Sequence, residues 1–219
     1  MSLSELWSLY GQNYIDALLA TWGMTLESFA IAMVLAVAVT VMRVSPLKPL
    51  RVFGDLYVQV FRNIPGIALL IIVVYALPPL KVVLPYRTCV IVATVLLGSA
   101  FGSENFMSGI NTVGVGQVEA ARSLGMSFSR ILAKIVIPQA LRSSVLPMTN
   151  LFIAVMLTTA LGSQVPLKPQ ELTGVVSYIN TRSLGGVVAF FISALGYLGT
   201  AFVVSHIGNY IDKKVMILR

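Results

Sequence analysis

Few side chains in this sequence are equipped for chemistry, and they lie scattered along oily runs. Arg62 and Glu104 each sit within an apolar stretch. An ionisable group inside such a stretch is costly and marks a functional candidate. Asn63, Asn150, Thr158 and Thr159 add neutral hydrogen-bonding groups in neighbouring runs. A guanidinium, a carboxylate, amides and hydroxyls suit the passage of a polar solute. They do not form a catalytic constellation: no Ser/His or Asp/Asp pair stands at matching depth. Cys89 and His206 are the sole residues of their types. One cysteine closes no internal disulfide, and a lone histidine in an apolar run reads as a packed or interfacial residue. There is no H-E-x-x-H, C-x-x-C or glycine-rich phosphate loop. Neither a metal, a cofactor nor a nucleotide is expected on this chain.

The elements that hold these residues follow from composition. The 219 residues are 57% hydrophobic and 11% charged, with a mean hydropathy of +0.89. Soluble domains carry about 25% charged residues, so this chain has too little polar surface for water. Its solvent is lipid, where only helices and closed barrels satisfy the backbone. The apolar runs lack period-2 alternation and therefore predict an all-α membrane protein. About five spans are expected at roughly 20 residues each. They run over Thr25–Met42, Leu56–Leu77, Thr88–Ile110, Ile131–Gly162 and Gly186–Tyr210. The fourth run is too long for one perpendicular span, so part of it should lie outside the hydrocarbon.

An odd number of spans places the termini on opposite sides. One set of loops carries Arg43, Lys48, Arg51, Arg122, Arg130, Lys134 and Arg142, with Lys213, Lys214 and Arg219 after the last span. The other carries Lys81, Arg87, Lys168 and Arg182. The positive-inside rule makes the first set cytoplasmic and the N-terminus external. The first run is not read as a cleaved signal, because its positive charge follows it at Arg43 rather than preceding it. Leu3–Leu19 is mildly amphipathic and is expected on the outer surface. The net charge of +7 is dispersed between apolar runs, so lipid rather than nucleic acid is the expected contact. With no repeat or linker, residues 1–219 read as one domain.

Depth sets a further expectation. The second span runs outward and the third inward, so Arg62 and Glu104 both fall about 9 Å in from the cytoplasmic side at 1.5 Å per residue. They are expected to meet between adjacent helices. Such a pair either fixes helix packing or leaves Arg62 facing a pathway, in contact with a solute carboxylate. Glu27 should reach water at the outer end of its span, and Asp55 lies at the cytoplasmic edge. The small residues of Gly98–Ser103 suit close helix packing.

The stretch from Gly116 to Leu141 interrupts the oil with a polar, basic, helix-prone segment. A short helix is expected over Gln117–Leu124, with Glu119 in its first turn, where the helix dipole favours a carboxylate. Gly125 fits the left-handed residue that ends such a helix. Ser127 can cap a second helix from Phe128, and Pro138 should bend it. Ala120 and Ala121 leave a face without bulk that a larger body could approach. A basic amphipathic loop on lipid headgroups fits the same residues.

A family resemblance favours the first of these. Glu119-Ala120-Ala121, then Gly125, Ile135 and Ile137-Pro138, resemble the E-A-A-x3-G-x9-I-x-L-P motif of ABC importer permeases, with Ile137 for Leu. "FRNIP" from Phe61, "SENFMSGI" from Ser103 and "PQALRSSVLPMTNLFI" from Pro138 resemble elements of the polar amino-acid branch. The resemblance implies a type I importer permease fold whose segment near 116–130 is a coupling helix. Glu119, Ala120, Ala121, Gly125, Ile135 and Pro138 would then serve coupling to a cytoplasmic ABC ATPase dimer. Further implied partners are a second permease subunit and an extracytoplasmic solute-binding protein, in the inner membrane of a prokaryote. Met107 replaces an arginine of the family pattern, and Leu157-Thr158-Thr159-Ala160-Leu161 lacks its lysine and aspartate. These departures favour a heterodimer over a homodimer. With few acidic residues along the spans, the glutamate–glutamine group is the first expected solute. A basic amino acid, which Glu104 would suit, and methionine are the alternatives within transport. A membrane scaffold without a pathway is the rival outside it, and it leaves the E-A-A element unexplained.

Overall fold

The computed structural model describes residues 2–183 and 185–215. Arg219, counted above among the cytoplasmic basic residues, lies outside them. The described residues are helical, without strands.

Helix α1 runs unbroken over Leu3–Arg43, 41 residues, or about 60 Å at 1.5 Å per residue. Its start is secured by a capping box: Glu5 N–H donates to Ser2 Oγ, and Ser2 N–H donates to the Glu5 carboxylate. Leu3–Leu19 is therefore not a separate helix on the outer surface. No proline interrupts it, and Leu6, Tyr14 and Ala17 fall at helical spacing on one buried face. That face packs on α9 (Leu172–Asn180) and on the start of α10 (Gly186–Val215), where Tyr14 Oη donates to Ala189 O at 2.9 Å.

The second apolar run does not form one straight span. Helix α2 covers Lys48–Asn63 and α3 starts at Gly66, and their axes bend by 103°. Pro65 lacks an N–H and forces extended backbone on the residue before it; Ile64 has φ −82° and ψ 128°. Helix α3 (Gly66–Ile71) continues through a π-turn, Ile72–Ala76, and ends in a 3₁₀ turn at Pro78–Leu80. The depth expected for Arg62 assumed a straight span, so it does not hold; its nearness to Glu104 does.

Helix α4, Tyr86–Asn111, is the central pillar and makes its most extensive contact with α1. Small residues set that contact. A Cβ on Gly102 would stand 2.8 Å from Ala36 Cβ, closer than real carbon atoms pack. Beside it, Met24, Leu70, Val73, Val90 and Val95 form a core between α1, α3 with its π-turn, and α4.

The fourth run divides. After α5 (Val115–Ser123), α6 (Phe128–Ile131) passes through a π-turn, Leu132–Val136, into α7 (Ile137–Ser143). The π-turn accommodates Pro138: Ile137 N–H reaches back five residues to Leu132 O. A turn at Ser144 separates α7 from α8 (Val145–Thr158), which tightens into a 3₁₀ turn over Thr159–Gln164. Only Val145–Gln164 of this run has the length and apolarity of a span. At Ser144 the backbone stays in the helical region (φ −90°, ψ −2°), with Ser144 N–H donating to Ala140 O and Met148 N–H to Ser144 O, so α7 and α8 join through a single residue. By length and composition, four single helices and the bent α2–α3 pair qualify as spans. Helix α9 was not anticipated from the sequence.

The glycine contact between α1 and α4 is testable. Gly102→Leu should lower the thermal stability of the solubilised protein by about 1–3 kcal/mol through overpacking. Gly199→Ala, inside α10 where a Cβ meets open space, should leave it unchanged or raise it by up to about 1 kcal/mol. Equal melting temperatures for both variants would contradict this packing.

Candidate functional site

The segment around α5 is built by backbone bonds that the sequence specifies. Gly125 has φ +76°, a value glycine adopts without strain. Its N–H donates to Arg122 O at 2.9 Å, and Met126 N–H donates to Ala121 O at 3.1 Å. These two bonds form a Schellman motif, which turns the chain sharply after α5. Ser127 begins the next helix through its backbone, with no side-chain cap bond.

The two alanines part company. Ala121 is buried against Ile131 and Val136, with Ile135 at the margin of that cluster. Ala120 and Glu119 face outward. The face open to a larger body is therefore Ala120, flanked by Val115, Leu124 and Phe128, which are 71%, 82% and 53% exposed. Pro138 lies on α7 next to Gln139, whose Nε2 donates to Gln117 Oε1 at 2.7 Å and so ties α7 to α5. Sequence reading missed this link.

Helix α7 in turn lies against the end of α4. A Cβ on Gly109 would stand 2.7 Å from Ala140 O. Thr112 Oγ1 and Ser143 Oγ are 3.2 Å apart, Ser144 Oγ reaches Asn105 O, and Asn105 Nδ2 donates to Pro147 O at 3.1 Å. These contacts join α7 to α4 and to the start of α8.

The second cluster is ionic. Arg62 Nη1 lies 3.3 Å from Glu104 Oε2, the meeting expected from sequence. Arg43 Nη1 reaches the same oxygen at 3.1 Å, and Arg43 Nε donates to Asp55 Oδ1 at 2.8 Å. The pair is not sealed away. Arg62 and Glu104 are 36% and 40% exposed, because Arg43, 11% exposed, takes the inner side of the carboxylate. Arg62 sits over the Phe101 ring at 5.4 Å and borders a cavity of about 630 Å³. Thr94, Thr158 and Gln164 provide polar groups on its otherwise largely apolar wall. The Thr94 hydroxyl is buried without a partner.

The remaining candidates are not gathered there. Asn63 donates to Gln59 O, and Asn63 and Asn150 lie outside the cavity wall. Thr159 is fully buried and donates to Met156 O, facing away. Glu27, expected to reach water, is 48% exposed and also forms a two-point pair with Arg87 at 2.6 and 2.8 Å.

Glu171 was missed by sequence reading. It is fully buried at the start of α9 and accepts from Thr173 N, Gly174 N and Tyr197 Oη. Burial pushes its carboxyl pKa up, against those three donors. Its signal was a carboxylate one position before an apolar helix. Among the described residues no cluster of His, Cys, Asp or Glu is suited to a metal ion.

The shared carboxylate yields a stability order. Glu104→Gln removes the partner of two guanidiniums and should cost about 1–2 kcal/mol, whereas Arg62→Gln leaves Glu104 with Arg43 and should cost under about 1 kcal/mol. Thermal unfolding of the solubilised complex reads both; the reverse order would contradict the shared geometry.

Known proteins place this architecture. The chain is 33% identical over 208 residues to the glutamate transport system permease protein GluC of Corynebacterium efficiens, covering 90% of this chain and 91% of that one. It is 31% identical to the L-cystine transport system permease protein TcyB of Bacillus subtilis, over 95% of this chain and 91% of that one. An amino acid ABC transporter solved with histidines superposes with a TM-score of 0.90 at 25% identity, covering 98% of this chain and 100% of that chain. The MetNI methionine ABC transporter shares the fold, with a TM-score of 0.74 at 19% identity, covering 99% of this chain and 100% of that chain. The family model for the binding-protein-dependent transport system inner membrane component matches residues 28–217, and with nearly the whole chain accounted for, the protein belongs to that family, the membrane permeases of ABC importers.

Proposed function

We propose that this chain is the permease subunit of an importer that moves a polar amino acid into the cytoplasm by alternating access, with the glutamate–glutamine group as first choice. The observation that carries the reading is the α5–α7 segment. It presents Ala120 and exposed apolar side chains outward and is tied behind them to α4 and α8. In this reading α5 seats in a groove of a cytoplasmic ATPase dimer, and Glu119, Ala120, Ala121, Gly125, Ile135 and Pro138 form the coupling unit. Closure of the ATPases pushes α5, and α7 passes the displacement to the spans. ATP is hydrolysed by the partner, not by this chain.

Residues 1–219 act as one permease domain, with the N-terminus outside and the C-terminus in the cytoplasm. A solute-binding protein delivers the amino acid to the outer face. Arg62 then meets the solute carboxylate, and Glu104 stands beside it for the ammonium group. Thr158, with Thr94 and Gln164, offers neutral groups to the solute side chain. Relatives that carry glutamate and cystine in their names support a polar amino acid over methionine. A basic amino acid would be helped by a carboxylate on the cavity wall, which carries none; Thr158 stands there, and Glu104 lies behind Arg62. That neutral wall also favours a heterodimer whose other permease carries the missing charges.

Two variants test the coupling role. Gly125→Val forces a β-branched residue into left-handed backbone at about 1–2 kcal/mol, which should open the Schellman turn and tilt α5. Glu119→Lys places a cation at the positive end of the helix dipole. Both should reach the membrane at near-normal levels and retain ATPase association in part. Both should lose amino-acid uptake in liposomes, with ATP hydrolysis no longer stimulated by the loaded binding protein. Wild-type uptake with full stimulation in both variants would defeat the coupling reading. Competition by a panel of amino acids in the same liposomes identifies the solute.

A further inference from the structure

Arg43 has no role in the reading above, yet it is held more firmly than Arg62. Its guanidinium meets Asp55 Oδ1 at 2.8 Å, Glu104 Oε2 at 3.1 Å and Ser103 Oγ at 3.3 Å. Ser103 Oγ is itself 3.0 Å from Thr40 Oγ1, one turn back on α1. The stem of Arg43 crosses α2 at Gly54, where a Cβ would stand 2.8 Å from Arg43 Cγ. A side chain at position 54 would displace the arginine, so α2 carries none. Arg43 is thus fixed along its stem and at its head.

Arg62 is the opposite case. It has one carboxylate contact, rests over an aromatic face and borders the cavity. Both guanidiniums converge on the same oxygen, Glu104 Oε2. The order Asp55, Arg43, Glu104, Arg62 alternates in sign and ends, at its loosest member, on the cavity.

We infer that Arg43 is a positioning residue for solute capture: it holds Glu104 paired and in place while Arg62 exchanges the Glu104 carboxylate for that of an amino acid in the cavity. The inference rests on the proposed reading that Arg62 meets the solute carboxylate. Removing one partner of an ion pair from weakly polar surroundings strands the other charge, which is the costly event. Here the departure of Arg62 strands nothing, because Arg43 stays. One ion pair is broken and one is made, and each protein carboxylate keeps a guanidinium. The task needs arginine. Its fork serves Asp55 through Nε and Glu104 through Nη1 at once, whereas a lysine ammonium is a single point of charge. Solutes without a carboxylate have nothing to exchange and should be refused.

The test uses the purified permease–ATPase complex in nanodiscs without binding protein. Radiolabelled L-glutamate, L-glutamine, L-cystine, L-arginine and L-methionine are the probes, and the dissociation constant of the tightest is followed. Arg43→Met should weaken binding by about tenfold or more, and Arg43→Lys by less. Arg43→Met combined with Glu104→Gln should bind within about threefold of Glu104→Gln alone, because a neutral residue 104 leaves no stranded carboxylate beside Arg62, and Asp55, which also loses Arg43, is half exposed and reaches water. A merely structural arginine would give additive losses instead. Wild-type binding by Arg43→Met, or a double variant more than about threefold weaker than Glu104→Gln alone, overturns the inference. Unchanged binding by Arg62→Met, or no wild-type binding of any probe at millimolar concentration, overturns the underlying reading as well.

Discussion

How near other helices can come to α4 governs the rest of this molecule. On one side Gly102 lets α1 approach until Ala36 fills the place of a side chain. Near the end of the same helix, Gly109 lets the α7 backbone lie directly on it. Lipid offers no hydrophobic driving force between helices, so contact at this range, with the hydrogen bonds it permits, supplies the association. The bonds follow: Asn105 to Pro147 O, Ser144 to Asn105 O, and Thr112 to Ser143. Helix α4 is in contact with α1, α2, α7 and α8, and under the proposed coupling role it is what the α5–α7 segment would push against.

The same helix carries Glu104, which links the mechanical and the recognition halves. Glu104 binds Arg43 of α1 and Arg62 of α2, while Asn105, the next residue, binds the chain just beyond Ser144. The contact with the α7–α8 region and the ion pairs beside the cavity are therefore held by consecutive residues. Apolar helices tolerate this chain of charges because its signs alternate and each member has a partner.

Much of the Gly116–Leu141 segment was legible in the sequence. The helix, the left-handed Gly125 and the helix restart at Phe128 follow from local rules, since caps and turns depend on a few neighbouring residues. The pairing of Arg62 with Glu104 was expected from matched depth in straight antiparallel spans; the bend at Pro65 removes that premise, yet the two residues still meet. The sharing of Glu104 with Arg43 was not legible, because it depends on how closely α1 crosses α2 at Gly54. Pro65 was a readable signal overridden by the length of the apolar run around it, and the bend there is the result. Leu3–Leu19 read as a surface helix because its partners, α9 and α10, lie more than 150 residues away, as in the Tyr14–Ala189 bond. Thr159 and Thr158 are adjacent, and only the tightening of α8 into a 3₁₀ turn decides which one faces the cavity. Glu171 was passed over because its burial comes from elements distant in sequence: Tyr197 of α10 donates to it and the turn at Gly162 lies against its stem.

The central claim is that the exposed face of α5 is where force from the ATPase enters. A photo-crosslinking residue in place of Leu124, 82% exposed at the end of α5, tests it most directly. One in place of Leu195 on the outer surface of α10 serves as the reference. In the assembled complex in membranes, the account predicts that position 124 captures the ATPase subunit with a yield that changes between ATP-bound and nucleotide-free states, while position 195 captures only lipid. Capture of lipid alone at position 124 in both states would contradict it and return the segment to a basic helix lying on headgroups.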